Sequence, residues 1–392
     1  MLHYPAADKT ADFQQAVQIK LDGGDADFRG VCFPDEWDLR RHVFTAKADF
    51  TEAVFNGVTV LSRNVFGEGV DFTYAVFKKD VYFSLSQFVE DAVFDNTIFH
   101  ALAYFRSAAF EKAAWFESAT FGGEADFTVV TFRGPVNFGY TTTASYVKFS
   151  ANDPAAGGFV GDASLDFQYA NVEKPERISF NTLSLLPHWF VNVDPRKFDF
   201  ANVVWLDRTV DEELESLKSK GVSQPHRRLA IAYRQLAINA EDNHRYGEAS
   251  ELRYEAMDTR QKEKGRGAFW TLDWWYWLAS GYGESIIRAS VVLLALWLLF
   301  AALYTQVGFA RWETRLSSEA DAADASKTKR DETGAPLDIE QAVAYSYNTI
   351  TLQKPEPRPA TRWAKFLTAV ETILGPLQAG LLALAIRRKF MR

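Results

Sequence analysis

Cysteine is almost missing from this chain. Cys32 is the single one in 392 residues, so an internal disulfide and a cysteine-rich zinc site are both excluded, and a buried, inert thiol is its expected role. The six histidines, at 3, 42, 100, 188, 226 and 244, share no ligand spacing, and no phosphate-binding loop or nucleophile arrangement accompanies them. Neither an enzyme nor a bound cofactor or metal is therefore expected. The first 17 residues lack the basic and apolar regions of a cleaved secretion signal, which leaves most of the chain expected in the cytoplasm. Positive charge is not in excess either: the formal net charge of −8 argues against broad nucleic-acid binding. Finally, no glycine stands between Gly334 and Gly375.

What abounds is phenylalanine, 32 in all. From Phe50 and Phe55 to Phe132 and Phe138 they recur in steps alternating five and six, with Leu61 in the one gap. The register extends back through Phe44, Leu39 and Phe33 to Phe28. Between 48 and 138, Ala or Val stands two residues before most of these positions, the exceptions being Thr59, Asn64, Ser86 and Thr97. A helical stripe needs steps of three and four, and a flat strand steps of two. The spacing fits a coil with one inward Phe per side and backbone hydrogen bonds between turns. Units such as ADFTEAVF, VDFTYAVF and EADFTVVTF resemble the pentapeptide-repeat family in its eleven-residue paired variant. The resemblance implies a right-handed quadrilateral β-helix, 22 residues per turn, with five turns between Phe28 and Phe138. Some rods of this family mimic duplex DNA. Here 15 acidic residues between 28 and 138 face 10 basic ones, too mixed for such mimicry, and a scaffold or docking surface is the expected role.

The expected division is an N-terminal segment at 1–27, the repeat β-helix at 28–150, and an irregular continuation or cap at 151–207. A helical hairpin follows at 208–266, a Trp-rich helix at 267–284, and a membrane module at 285–392. In the hairpin Phe vanishes, and Leu229, Ala232, Tyr233, Leu236 and Ala237 share one helical face. The stretch YRQLAINAEDNHRYGEASELRYEAM resembles one tetratricopeptide-like pair, which cannot bury its own face alone. Trp270, Trp274, Trp275 and Trp277 then suit a membrane interface, with a turn at Gly281 and Gly283 and with Arg288 reaching headgroups.

Residues 289–310 and 366–386 are each about as long and apolar as the ~20 residues that cross a bilayer. Between them 339–350 is too short to cross, with Asp338 as its expected N-cap. The segment AYSYNTITL resembles the pore helix and filter start of two-span tetrameric cation channels of the potassium-channel type. Ser346, Thr349, Thr351 and Leu352 fall where that family has its Ser and the beginning of its Thr-Val-Gly filter. In place of the filter glycines this chain has Gln353, Lys354, Pro355, Glu356 and Pro357. A ring of Lys354 or Arg358 around an axis would favour anions, and a ring of Glu356 cations. In the second span Glu371 and Gln378 share a face, and Gly375–Pro376 is the expected bend. These four residues are the pore-lining or gating candidates, with a packing kink as the alternative for the bend.

The expectation is thus an oligomeric ion channel with a re-entrant pore helix in the inner (plasma) membrane, both termini cytoplasmic. Its partners would be lipid, inorganic ions and copies of itself, four by resemblance. The alternative is a membrane-anchored scaffold that recruits a soluble partner without conducting.

Overall fold

The computed structural model describes residues 12–154, 158–264, 271–310, 334–354 and 356–390. Trp270, Pro355, the stretch 311–333 and the last two residues of the basic C-terminal sequence RRKFMR lie outside them. The chain divides into two compact units, Met1–Arg245 and Tyr246–Arg392. The division falls inside the expected 208–266 hairpin, so its two helices belong to different units.

The first unit is a coil of parallel strands, most only two residues long. Each strand pairs with the one a turn later: Cys32 with Val54, Trp37 with Thr59, Val43 with Val65, and Ala48 with Val70. Four sheets of seven, eight, six and six strands form its sides. The inward Phe rings lie flat on those of neighbouring turns, as Phe94 does at 5.2 Å from Phe72 and 4.8 Å from Phe116. Burying each such ring stabilises the coil by roughly 1.5–3 kcal/mol. Leu39 departs from the ladder: it is half-buried, and Trp37 fills the end of the core, 4.5 Å from Phe33.

One corner in every eleven residues places a non-glycine residue at positive φ, from Arg41, Glu52 and Arg63 to Val129 and Tyr140. The bond from Ala53 N to Phe50 O closes such a corner, with Glu52 in the left-handed position of a type II turn. The polar exceptions in the ladder are buried, and all make hydrogen bonds, though Asn64 does so through Oδ1 and leaves Nδ2 without a partner. Ser86 Oγ donates to Leu61 O and Thr97 Oγ1 to Phe72 O, each at 2.7 Å.

Beyond Phe138 the coil continues with longer turns. Thr131 pairs with Gly158 and Val147 with Ile178, while the stack passes through Phe127, Phe149, Phe180 and Phe200. The longest face therefore reaches eight strands. Both ends are covered, as exposed strand edges require. Helix α1, Asp12–Asp22, buries Phe13, Val17 and Leu21 on the first turn. At the other end lie α2, Val210–Ser219, opened by a Thr209–Glu212 capping box, and α3, Pro225–Asp242. Asn239 Nδ2 on α3 donates to the carbonyls of Pro195, Arg196 and Phe198 at 2.7–3.1 Å. Buried Glu213 accepts from Tyr233 at 2.8 Å and stands 3.4 Å from His188 Nδ1, joining α2, α3 and the last turns.

The second unit is helical: α4 (Tyr246–Lys264), α5 (Leu272–Ser280), α6 (Ile286–Tyr304), α7 (Ile339–Ile350) and α8 (Arg362–Phe390). Helices α6 and α8 are long and apolar enough to cross a membrane. As the sequence indicates, α5 ends where Gly281 takes φ 56° and Gly283 φ 76°, and α6 begins at once, capped by Ser285.

Candidate functional site

The candidate site is built where α7 wedges between α6 and α8. Its twelve residues span about 18 Å at ~1.5 Å per residue. Ala342, Tyr345, Ser346 and Thr349 form its buried face. Tyr345 joins Phe300, Tyr304, Phe309, Leu337 and Ala364 in an apolar core. Asp338 occupies the N-cap position as expected, but its side chain makes no capping bond.

The other end of α7 closes in an unusual way. Gln353 N donates to Asn348 O at 2.8 Å and Leu352 N to Thr349 O at 3.1 Å, the paired bonds of a Schellman turn. That motif places a residue in the left-handed region, where glycine is preferred. Here Leu352 takes it at φ 58°, with its side chain 64 % exposed. The glycine-free stretch therefore ends its helix under strain of about 1–2 kcal/mol. Residues 351–354 form this helix-ending turn, not an extended filter strand.

Of the filter candidates, Thr349 is buried and its Oγ1 donates to Tyr345 O at 2.9 Å. Thr351, Leu352, Gln353, Lys354, Glu356 and Arg358 are all exposed. The chain then returns beside Phe309, whose backbone bridges both Ala335 and Pro359. Gly308 and Gly334 approach so closely there that a Cβ on either would meet the other's backbone at 2.5–2.6 Å.

Of the candidates on α8, Glu371 and Gln378 find hydrogen-bond partners inside the chain. Glu371 is 1 % exposed and accepts from the Tyr304 hydroxyl at 2.5 Å and from the Ser346 hydroxyl. One carboxyl thus ties α6, α7 and α8 together, and Ser346 Oγ also lies 3.1 Å from Trp297 O on α6. Gln378, on the same face, donates to Ala279 O at 2.7 Å and Ala289 O at 2.9 Å. Buried away from water, an unpaired amide or carboxyl costs several kcal/mol, and here both are paired with neighbouring helices. Gly375 is where α8 crosses the end of α7: a Cβ would stand 2.8 Å from Ile350 Cγ1. Pro376 lies inside α8, which continues through it without a break. Gly375 therefore sits at a packing contact between α7 and α8.

Arg288 is also redirected. Its guanidinium lies 4.9 Å from the Trp277 ring centre and donates to Trp277 O at 3.3 Å, not outward to headgroups. In the basic tail, Arg388 pairs with Glu284 at 2.9 Å and donates to Tyr282 O at 3.0 Å. Ser250 on α4 binds the other Glu284 oxygen at 2.7 Å. The sequence reading missed Tyr304, Trp297 and Glu284, because nothing in their spacing announces partners 67, 46 or 104 residues away.

Among the described residues no group of three or more His, Cys, Asp or Glu is placed to hold a metal ion. No curated protein and no solved structure matches the chain. The family model for pentapeptide repeats matches residues 63–109 and 94–142, nine copies in all, and so identifies the phenylalanine-stacked coil as a pentapeptide-repeat β-helix.

Proposed function

We propose that the chain is one subunit of an oligomeric membrane ion channel, with α6 and α8 as spans and α7 as a re-entrant pore helix. The observation that carries this reading is the wedge of α7. A helix too short for the ~30 Å hydrocarbon core is buried between two long enough to cross it. It ends in an exposed, polar turn, Thr351 to Lys354, followed by exposed Glu356 and Arg358. Irregular backbone at membrane depth is tolerated where protein shields it or water surrounds it. Several copies converging on an aqueous axis meet that need, with Gln353, Lys354 and Glu356 at the mouth. Four copies is the number implied by the resemblance to two-span channels, and lipid covers the apolar outer faces, where Val291, Leu294 and Leu298 stand half exposed.

Purified protein in planar bilayers tests this. Unitary currents are expected, with ion preference shifting when Lys354→Gln or Glu356→Gln removes one sign of charge from the mouth. Silence from well-folded oligomers would sink the reading.

A second reading is favoured by one observation: the polar groups of α8 are consumed by internal bonds, leaving Ile373, Leu374 and Leu377 exposed beside them. Such a span suits an anchor, with the β-helix recruiting a soluble partner. On that reading, deleting residues 338–359 leaves partner recruitment intact.

A further inference from the structure

The first unit carries a cleft of about 290 Å³ where the loop between α2 and α3 folds over one corner of the coil. That is the lower end of the size of small-molecule sites. At its back, Tyr140 and Tyr169 stack at 5.1 Å with their rings 20° apart. Both occupy left-handed corner positions and are about half exposed. One turn below Tyr140 the same corner holds Ser118, paired through Ser118 N and Gly139 O at 2.9 Å. One face of Tyr140 is therefore covered by a ring and the other by a small side chain, which leaves a slot one ring thick.

The opposite end of the stack carries a cation. Arg228 Nη1 donates to the Tyr169 hydroxyl at 2.6 Å and to Asn192 Oδ1 at 2.7 Å, and Nη2 donates to Ser223 Oγ at 2.9 Å. All three acceptors are neutral. The guanidinium is thus fixed with its charge uncompensated and with two of its five N–H groups uncommitted, the arrangement that receives an anion. Lys220 lines the same cleft, 3.6 Å from Asp166. Asp166, which accepts from Gln168 N and Nε2, and Glu117, which accepts from Asn137 Nδ2 at 3.1 Å, also line the cleft, and each carboxylate keeps lone pairs for a further donor. From the Ser118 rung to the Tyr169 rung is two steps of the coil, roughly 10 Å at ~4.8 Å each.

We propose that this cleft binds a purine mononucleotide. The base would fill the slot against Tyr140, its amino group and the ribose hydroxyls would face Glu117 and Asp166, and the phosphate would meet Arg228. A slot for a flat ring, acceptors for its donors and a prepositioned cation about one nucleotide-length away are three separate demands that one ligand class meets.

The test is isothermal titration of the full purified chain in detergent with AMP and GMP, alongside adenosine and inorganic phosphate. Saturable binding of at least one nucleotide is expected, with adenosine and phosphate each at least tenfold weaker. Arg228→Ala should weaken it at least tenfold, but Arg228 also braces α3, so a second variant is needed. Ser118→Tyr extends a stack that already accepts tyrosine at this corner and closes the slot; it should cost at least tenfold in affinity with the thermal midpoint unchanged. The proposal is overturned if neither nucleotide gives a saturable heat, if phosphate alone binds as tightly, or if Ser118→Tyr leaves affinity where it was.

Discussion

In the coil, Phe94 is held by six other rings, stacked on Phe72 and Phe116 and tilted or edge-on to Phe83, Phe88, Phe99 and Phe105. In the helical unit, Glu371 is held by two hydroxyls, those of Tyr304 and Ser346. The ring contacts repeat on every turn, so any one of them resembles its neighbours, and losing one leaves the pattern in place. The contacts of Glu371 occur once, and nothing substitutes for them. Repetition makes the coil a sum of equivalent rungs. The helical unit is instead specified by a few polar bonds and close approaches set within a largely apolar surface.

The largest expected effect lies in the coil. Phe94→Ala removes a fully buried ring and should cost about 3–5 kcal/mol in urea unfolding followed by circular dichroism. Phe105→Ala and Phe116→Ala should cost the same within experimental scatter, because each ring is likewise stacked on both faces. A spread of several kcal/mol among the three would break the picture of equivalent rungs. Next comes Gly375→Val, which drives a side chain into Ile350 and should lower the stability of the helical unit by about 1–3 kcal/mol, read as a drop in the thermal midpoint in detergent. An unchanged midpoint would mean that the α7–α8 contact yields without cost.

These two sites also differ in how far the sequence announced them. The steps of five and six are enough to place every stacking Phe from 44 to 138 on the inside, because a repeat imposes the same constraint many times. The same signal said nothing of α1, whose Phe13 reaches the first turn, since a cap is by nature the element that does not repeat. In the helical unit, hydrophobic length gave the two long apolar helices and the short helix between them. It gave Glu371 and Gln378 as a shared face but not its direction, which depends on where Tyr304, Ser346 and Ala289 stand. Leu352 is the opposite lesson: a missing glycine was visible in the sequence, while the left-handed turn that wants one was not.

A double-mutant cycle sharpens the contrast further. Glu371→Leu should cost about 1–2 kcal/mol, the range for hydrogen bonds between membrane helices. Adding Tyr304→Phe to it should cost almost nothing more, since the partner is already gone. Phe50→Ala and Phe116→Ala, which share no ring partner, should instead add nearly in full. Additive behaviour at Glu371 would mean that its two hydroxyl bonds do not hold the helices together.

The smallest effect separates two carboxylates within the coil itself. The Arg29 side chain beside Asp27 holds its carboxyl at about 2, below the ordinary 3.8. A depressed pKa contributes stability that is complete above the ordinary value and is lost as pH falls through the folded one, here between roughly 4 and 2. Burial pushes Asp95 the other way, so it takes up its proton earlier in the folded chain and opposes that loss. Acid unfolding should therefore flatten in Asp27→Asn and steepen in Asp95→Asn, each by no more than about 1 kcal/mol because Asp27 is half exposed and its ion pair is screened. If both variants moved the acid limb in the same direction, charge at the coil's surface would be acting through its sum and not through these particular pairs.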